Sequence, residues 1–329
     1  MIVVPDDFPS VFEGSAAHEH ARRLGEVRVF SERGADREDE LIRRIGDAPA
    51  ALNIRAHARF SEGVFAACPK LKIVSVWGTG TDNIDLNAAG MRGVTVCNTP
   101  GINAFAVAEH ALTLMLTVAR KVVTLDAEMR KGRWPREMLT QCVGKTLGVF
   151  GMGAIGGRLA TIARGIGMHV LGWSALGDEA RIRKAGAKPA TKDEILSTAD
   201  VISLHVRLTS ETRNFLGRKE LAMMKPTAIL VNTGRGALVD REALLAALRD
   251  RRIMGAGLDV FHQEPLAPDD PILGLPNVVC SPHNAGQTPE VIRDGLLAAV
   301  ENIENFQKGK PSNLVVSPTS RVARKGQQA

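Results

Sequence analysis

The chain has 329 residues, enough for two domains with separate cores, and its 44% hydrophobic and 24% charged residues make an ordinary globular mixture. The net charge of +6 comes from scattered basic residues, apart from the tail SRVARKGQQA, which lacks periodicity and reads as disordered; this gives no nucleic-acid surface and suits small anionic ligands. No apolar run is long enough to span a bilayer, MIVVPDDFPS lacks the basic start of a signal peptide, and Cys68, Cys97, Cys142 and Cys280 form no CxxC, so the reading is a cytoplasmic protein with reduced thiols, no membrane contact and no metal site.

In chain order, MIVVP, EVRVFS, AALNIRA, LKIVSVWG and VTVCNTP read as strands, with helical periodicity at 36–45 and 83–92 between them. Alternation of this kind argues for a parallel sheet. AFAVAEHALTLMLTVARKVVTL follows as one long helix, apolar on most faces and therefore expected to be buried between two domains. A second series comprises TLGVFG, HVLGWS, VISLHV, AILVNTG, IMGAGLDV and NVVCSPH, with helices such as REALLAALRD between them and a last helix at about 288–308. The fold class is α/β, two doubly wound parallel-sheet domains, of which the second binds nucleotide.

That assignment rests on LGVFGMGAIGGRLA. Gly151, Gly153 and Gly156 form G-x-G-x-x-G between a strand and a helix, the context in which the motif is informative. Gly151 permits the tight turn, Gly153 lets the backbone approach a pyrophosphate, and Gly156 lets the helix pack on the strand. The helix N-terminus then presents free N–H groups to phosphate. Eighteen residues after Gly156 stands Ser174, where a carboxylate would select the ribose 2′-hydroxyl. With no acid there and no adjacent arginine, NAD and NADP both remain open as the cofactor.

Three later loops lie at strand ends, where ligands of a doubly wound sheet bind. VNTGRGALVD holds Arg235, LDVFHQEPL holds Glu264 and SPHNAGQT holds His283. An arginine clamps the carboxylate of a 2-oxo acid with two parallel hydrogen bonds. A histidine supplies a proton to its carbonyl oxygen near neutral pH, and a neighbouring carboxylate orients the imidazole. Singly, Arg235 reads equally as bonding a loop carbonyl, Glu264 as an exposed loop acid and His283 as a core histidine; their order after the glycine motif points to chemistry. His110 reads as packing in its apolar helix, and His205 as lining the adenine side or as structural. His262 reads as a loop residue, and His18, His20, His57 and His169 carry no pattern.

With these residues in place, the sequence resembles the D-isomer-specific 2-hydroxyacid dehydrogenase family, through GTGTDNID, NTPGINAFAVAEHALTLML, GKTLGVFGMGAIG, VNTGRGALVDREALLAAL, GLDVFHQEPL and LPNVVCSPHNAGQT. The resemblance implies a discontinuous, flavodoxin-like substrate domain, 1–102 plus 291–329, and an inserted Rossmann coenzyme domain, 103–290. Hinges would lie near 102 and 290, the active site in a cleft closed during hydride transfer, and the helix from near Asn103 in a homodimer interface. It assigns catalysis to Arg235, Glu264 and His283, and substrate carboxylate binding to the backbone N–H groups of Trp77, Gly78 and Thr79 as well as to Arg235. Ala154 and Ile155 would sit over the pyrophosphate, Thr233 and Asp259 by the nicotinamide, and Gly286 near its amide. Ser174, His205, Val206 and Arg207 complete the expected coenzyme contacts.

The implied function is an oxidoreductase moving hydride between NAD(P)H and a small anionic 2-oxo or 2-hydroxy acid such as glyoxylate or hydroxypyruvate. Relatives that oxidise phosphoglycerate carry an arginine where this chain has Val76, and relatives that oxidise formate carry glutamine where it has Glu264, which argues against both substrates. Arg207 stands where much of the family has proline and would favour a 2′-phosphate if it faces the adenosine end. Trp77 would add an apolar wall to the substrate pocket. The alternatives are a dinucleotide-sensing, corepressor-like binding protein, disfavoured by the short tail, and a dehydrogenase using another donor such as phosphite.

Overall fold

The computed structural model describes residues 1–54 and 58–318; His57 and the basic tail lie outside these residues. The chain falls into two compact units, Met1–Asn103 continued from Thr288 onward, and Ala104–Gln287. In the first, β1 (Ile2–Val4), α1 (Ala16–Leu24), β2 (Val27–Val29), α2 (Glu38–Ile45), β3 (Ala50–Asn53), α3 (Glu62–Ala67), β4 (Ile73–Val76), α4 (Leu86–Met91) and β5 (Thr95–Cys97) alternate as their apolar runs predict. The second contains α5 (Ala104–Ala119), α6 (Val122–Arg130), β6 (Thr146–Phe150), α7 (Ala154–Gly165), β7 (His169–Trp173), α8 (Glu179–Lys184), β8 (Lys188–Pro189) and α9 (Lys192–Thr198). It continues through β9 (Val201–Leu204), α10 (Arg218–Met223), β10 (Ile229–Asn232), α11 (Arg241–Arg249), β11 (Gly255–Leu258) and β12 (Val278–Cys280). The chain then returns to the first unit as α12 (Pro289–Gln307) and β13 (Leu314–Val316).

The first sheet has the order β13-β5-β4-β3-β1-β2, whose parallel part is the flavodoxin-like 2-1-3-4-5. Strand β13 pairs antiparallel with β5, so this sheet is not wholly parallel. Sequence periodicity misses it because it is a three-residue edge strand with no fully buried position. Helix α12 starts at Pro289, with the Thr288 hydroxyl accepting the Val291 N–H at 3.3 Å. Its fully buried Asn302 donates to the Asn98 carbonyl at 2.9 Å, and its Ala299 carbonyl accepts the Ser75 hydroxyl at 2.7 Å. These bonds tie the returning helix to β4 and to the end of β5.

The second sheet has the order β8-β7-β6-β9-β10-β11-β12, a Rossmann sheet with a seventh strand. Its strand order reverses at β6, which leads into the glycine motif. Strand β8 escapes sequence analysis because it is two residues long and includes Pro189 at a sheet edge. The long helix expected over 104–125 is two helices. Lys121 adopts a left-handed conformation with φ +50°, α5 ends at Ala119, and α6 restarts with no buried residue. Helix α5 lies against β10, β11 and α7. It reaches β11 closely because a Cβ on Gly257 would come within 2.7 Å of the Leu114 Cβ. Among the described residues, no helix is long and apolar enough to cross a membrane, and no group of three His, Cys, Asp or Glu side chains converges to hold a metal.

His205, just past β9, shares one hydrogen bond between Nε2 and the Ser203 hydroxyl at 2.9 Å, while its buried Nδ1 has no partner among the described residues. Burial pushes its pKa down to about 4. The unfolded chain protonates this imidazole near pH 6.5, roughly two units higher, so its contribution to stability is complete above about pH 6.5 and is lost as pH falls towards 4. We predict that about 2 kcal/mol of the stability lost between pH 7 and pH 5 comes from this residue. Urea denaturation of His205→Gln should show a correspondingly smaller loss over that interval; an equal loss in both proteins would contradict the assignment.

Candidate active site

Strand β6 delivers the glycine motif at its carboxyl end. Gly151 has φ +99°, and a Cβ there would lie 2.6 Å from the His205 carbonyl. A Cβ on Gly156 would come 2.1 Å from the Gly151 oxygen, so α7 packs against the turn at a distance that only glycine allows. Gly153 caps α7 without a side-chain bond, and nothing lies within 4 Å of where its Cβ would be. The N–H groups at Ala154 and Ile155 therefore open a 12-residue helix whose N-terminus has no capping side chain. Two buried polar atoms of the same unit, Thr233 Oγ1 and His205 Nδ1, have no hydrogen-bond partner among the described residues. An uncapped helix N-terminus, an open glycine cradle and unmet buried polar atoms fit a dinucleotide. Val206 and Arg207 follow His205, with Val206 packed on the core and Arg207 exposed. Ser174 follows β7, and its hydroxyl accepts the Leu176 N–H at 3.3 Å. The next acid, Asp178, caps α8 through the Arg181 N–H at 2.9 Å.

The three candidate chemical residues all come from loops at the ends of β10, β11 and β12. Asn232, 2% exposed at the end of β10, accepts the Gly234 N–H at 3.0 Å and donates to the Arg235 carbonyl at 2.9 Å. That clamp shapes the loop, and Arg235 Nη1 donates to the Gly234 carbonyl at 2.9 Å. Glu264 accepts the Phe261 N–H through Oε1 at 2.9 Å and bonds His283 Nδ1 through Oε2 at 2.6 Å. Burial raises the pKa of Glu264, but the bond from His283, the Phe261 N–H and the charge of Arg235 outweigh it and hold the carboxyl below its usual range. Glu264 is thus ionised at neutral pH. With Nδ1 engaged, Nε2 is the nitrogen of His283 left to exchange a proton. The two side chains are 35% and 38% exposed, so the pair remains open to a ligand.

His283 stands at φ +53°, and its N–H donates to the Asp259 carbonyl at 2.8 Å. Asp259, expected beside the nicotinamide, has its fully buried carboxylate engaged by this loop. It accepts the Ser281 hydroxyl at 2.6 Å, the Asn284 N–H at 3.0 Å and the Ala285 N–H at 3.1 Å, immediately before Gly286. Burial raises its pKa, and the donors from His110, Ser281, Ala285 and Asn284 bring it below the usual value. His110 is the residue that sequence reasoning missed. Read as packing, it places Nε2 2.8 Å from the Ser281 hydroxyl and 3.4 Å from Asp259 Oδ1. Its only sequence signal is a polar ring within a largely apolar helix.

In the first unit, the loop after β4 departs from expectation. The Trp77 N–H already donates to the Asn53 carbonyl at 2.9 Å and the Gly78 N–H to the Thr99 hydroxyl at 2.7 Å. Of the three N–H groups expected to receive a carboxylate, only that of Thr79 makes no hydrogen bond among the described residues. The Trp77 indole, expected as a wall of the substrate pocket, donates to the Val291 carbonyl at 3.3 Å and lies where a Cβ on Gly295 would come within 2.2 Å. It packs on α12 because that glycine opens a slot for it.

The D-isomer specific 2-hydroxyacid dehydrogenase NAD-binding domain model matches residues 112–285. A glyoxylate reductase of Korarchaeum cryptofilum is 41% identical over 88% of this chain and 89% of its own length. A D-3-phosphoglycerate dehydrogenase of Archaeoglobus fulgidus is 38% identical over 90% of this chain, which spans 56% of that protein. The crystal structure of a glyoxylate reductase from Paecilomyes thermophila superposes with a TM-score of 0.86 at 30% identity, covering 95% of this chain and 97% of that one. The chain belongs to the D-isomer specific 2-hydroxyacid dehydrogenase family.

Proposed function

We propose that this protein reduces small 2-oxo acids, with glyoxylate and hydroxypyruvate as the substrate class, using NADH or NADPH. The 2.6 Å contact between His283 Nδ1 and an ionised Glu264 carries the reading. When bound, the reduced nicotinamide supplies a hydride to the carbonyl carbon. Nε2 of His283 gives its proton to the carbonyl oxygen, so one hydride on carbon and one proton on oxygen turn the carbonyl into the secondary alcohol. Glu264 holds Nδ1–H, fixes the plane of the ring and stabilises the imidazolium before transfer. Arg235 clamps the substrate carboxylate, and its planar fork orients the carbonyl for attack. The glycine motif with Ala154 and Ile155 receives the pyrophosphate. Thr233, His205, Val206, Ser174, Arg207 and Gly286 belong to the remaining coenzyme surface, and Asp259 supports it from behind. Val76, 4% exposed inside β4, supplies no cation for a substrate phosphate. That favours an unphosphorylated substrate.

A second copy of the chain is proposed to cover the apolar surface on and after α6. Val122, Val123, Trp134 and Met138 are 53%, 57%, 74% and 92% exposed, a run of exposed large apolar side chains of the kind that a partner surface covers.

Three outcomes are expected. Coenzyme oxidation with glyoxylate and hydroxypyruvate should fall by about 10²–10⁴ in kcat in His283→Ala, with coenzyme Kd retained; normal turnover would remove His283 as the acid. Arg235→Lys should lose about 100-fold in kcat/KM for the 2-oxo acid, because an ammonium cannot make the paired bonds; an unchanged value would place the carboxylate elsewhere. Sedimentation equilibrium should return twice the chain mass, and Trp134→Glu with Met138→Glu should return the single mass. A monomeric wild-type protein would contradict the covered surface.

A further inference from the structure

The carboxylate of Asp259 is fully buried and so needs a donor for each accepting position. Two donors are the N–H groups of Asn284 and Ala285, and a third is the Ser281 hydroxyl. Ser281 has one proton, and the 2.6 Å contact directs it to Asp259. Its oxygen is then left to accept, and the atom facing it at 2.8 Å is Nε2 of His110. The network therefore assigns the His110 proton to Nε2, with Asp259 Oδ1 3.4 Å from the same nitrogen.

We propose that His110 is a positioning residue for His283, acting through Ser281 and Asp259. Asp259 makes four of the bonds that hold the loop from Ser281 to Ala285, one through its backbone carbonyl to His283 and three through its side chain; the Ser281 N–H bond to the Leu258 carbonyl and the His283–Glu264 contact accompany them. His283 needs this support because φ +53° is uncommon for a residue with a side chain. His110 supplies the outermost bond from α5, a helix seated directly on the glycines of β11, so the support comes from a rigid element. A histidine used only for packing would not point a ring nitrogen at the hydroxyl that completes the shell of a buried carboxylate.

The inference rests on His283 being the proton donor, and its test separates the two claims. His110→Phe keeps the ring volume and deletes the donor; His110→Gln restores an N–H near the position of Nε2. In His110→Phe, kcat for glyoxylate at saturating coenzyme should fall about tenfold, and His110→Gln should recover most of it. Ser281→Ala should lose a similar factor, and the double variant His110→Phe/Ser281→Ala should lose no more than either single change, because both act through one chain of bonds. Without any substrate, amide hydrogen exchange at Asn284 and Ala285 should quicken about tenfold in His110→Phe. Unchanged turnover and exchange in His110→Phe, multiplicative losses in the double variant, or a Gln variant no better than Phe would overturn the proposal. If His110→Phe does not fold, the Gln and Ser281→Ala variants decide it by the same readouts. A wild-type protein inactive on glyoxylate and hydroxypyruvate would overturn the proposed function alone, and the exchange rates would still decide the support of the loop.

Discussion

A carboxylate shut off from water at the end of β11 sets the arrangement of the polar loops in the second unit. Asp259 holds its charge there because a hydroxyl and two backbone N–H groups converge on it, with an imidazole behind them. Leaving such a group unsatisfied costs several kcal/mol, on the order of the net stability of a whole domain. The loop after β12 is therefore pinned in one conformation. His283 takes a left-handed backbone within it and turns Nδ1 to Glu264.

The same device recurs one strand away. Asn232 at the end of β10 binds both sides of the turn that carries Arg235. Buried polar side chains at successive strand ends thus fix the loops, and the loops expose the groups to which the chemistry is assigned in the proposed function. The division is physical: polar groups that are buried must have fixed partners, whereas His283 and Glu264 stay partly exposed and free to meet a substrate. It also separates the two charges needed for reducing a 2-oxo acid. In the proposed function, the cation for the carboxylate comes from the β10 loop, and the proton from a pair built on the β11 and β12 loops.

Much of this was legible in the sequence, for identifiable reasons. Strand and helix periods, the glycine spacing and the order of Arg235, Glu264 and His283 are properties of residue type along the chain, and two parallel sheets of the doubly wound class follow from the two alternating series. Other features depend on partners far away in sequence. His110 looks like packing until β12 brings Ser281 to it, 171 positions later. Trp77 looks like a pocket wall until α12 offers Val291 and the slot at Gly295, 214 positions away for the hydrogen bond. Backbone N–H groups carry no mark of their partners, so nothing in WGT says that those of Trp77 and Gly78 are already bonded while that of Thr79 is not. The break at Lys121 and the strand β13 are short-range features that apolar patterning does not resolve.

In the proposed function, the His283–Glu264 pair protonates a 2-oxo acid as hydride reaches its carbon. The most direct measurement follows hydroxypyruvate with coenzyme deuterated at the transferable position, using NADH and NADPH in parallel, and analyses the product by mass and chirality. The expected product is D-configured glycerate carrying one deuterium at carbon 2, formed with one equivalent of coenzyme oxidised. Folded protein that binds coenzyme and yields no labelled product, or the L-configured acid, would contradict it.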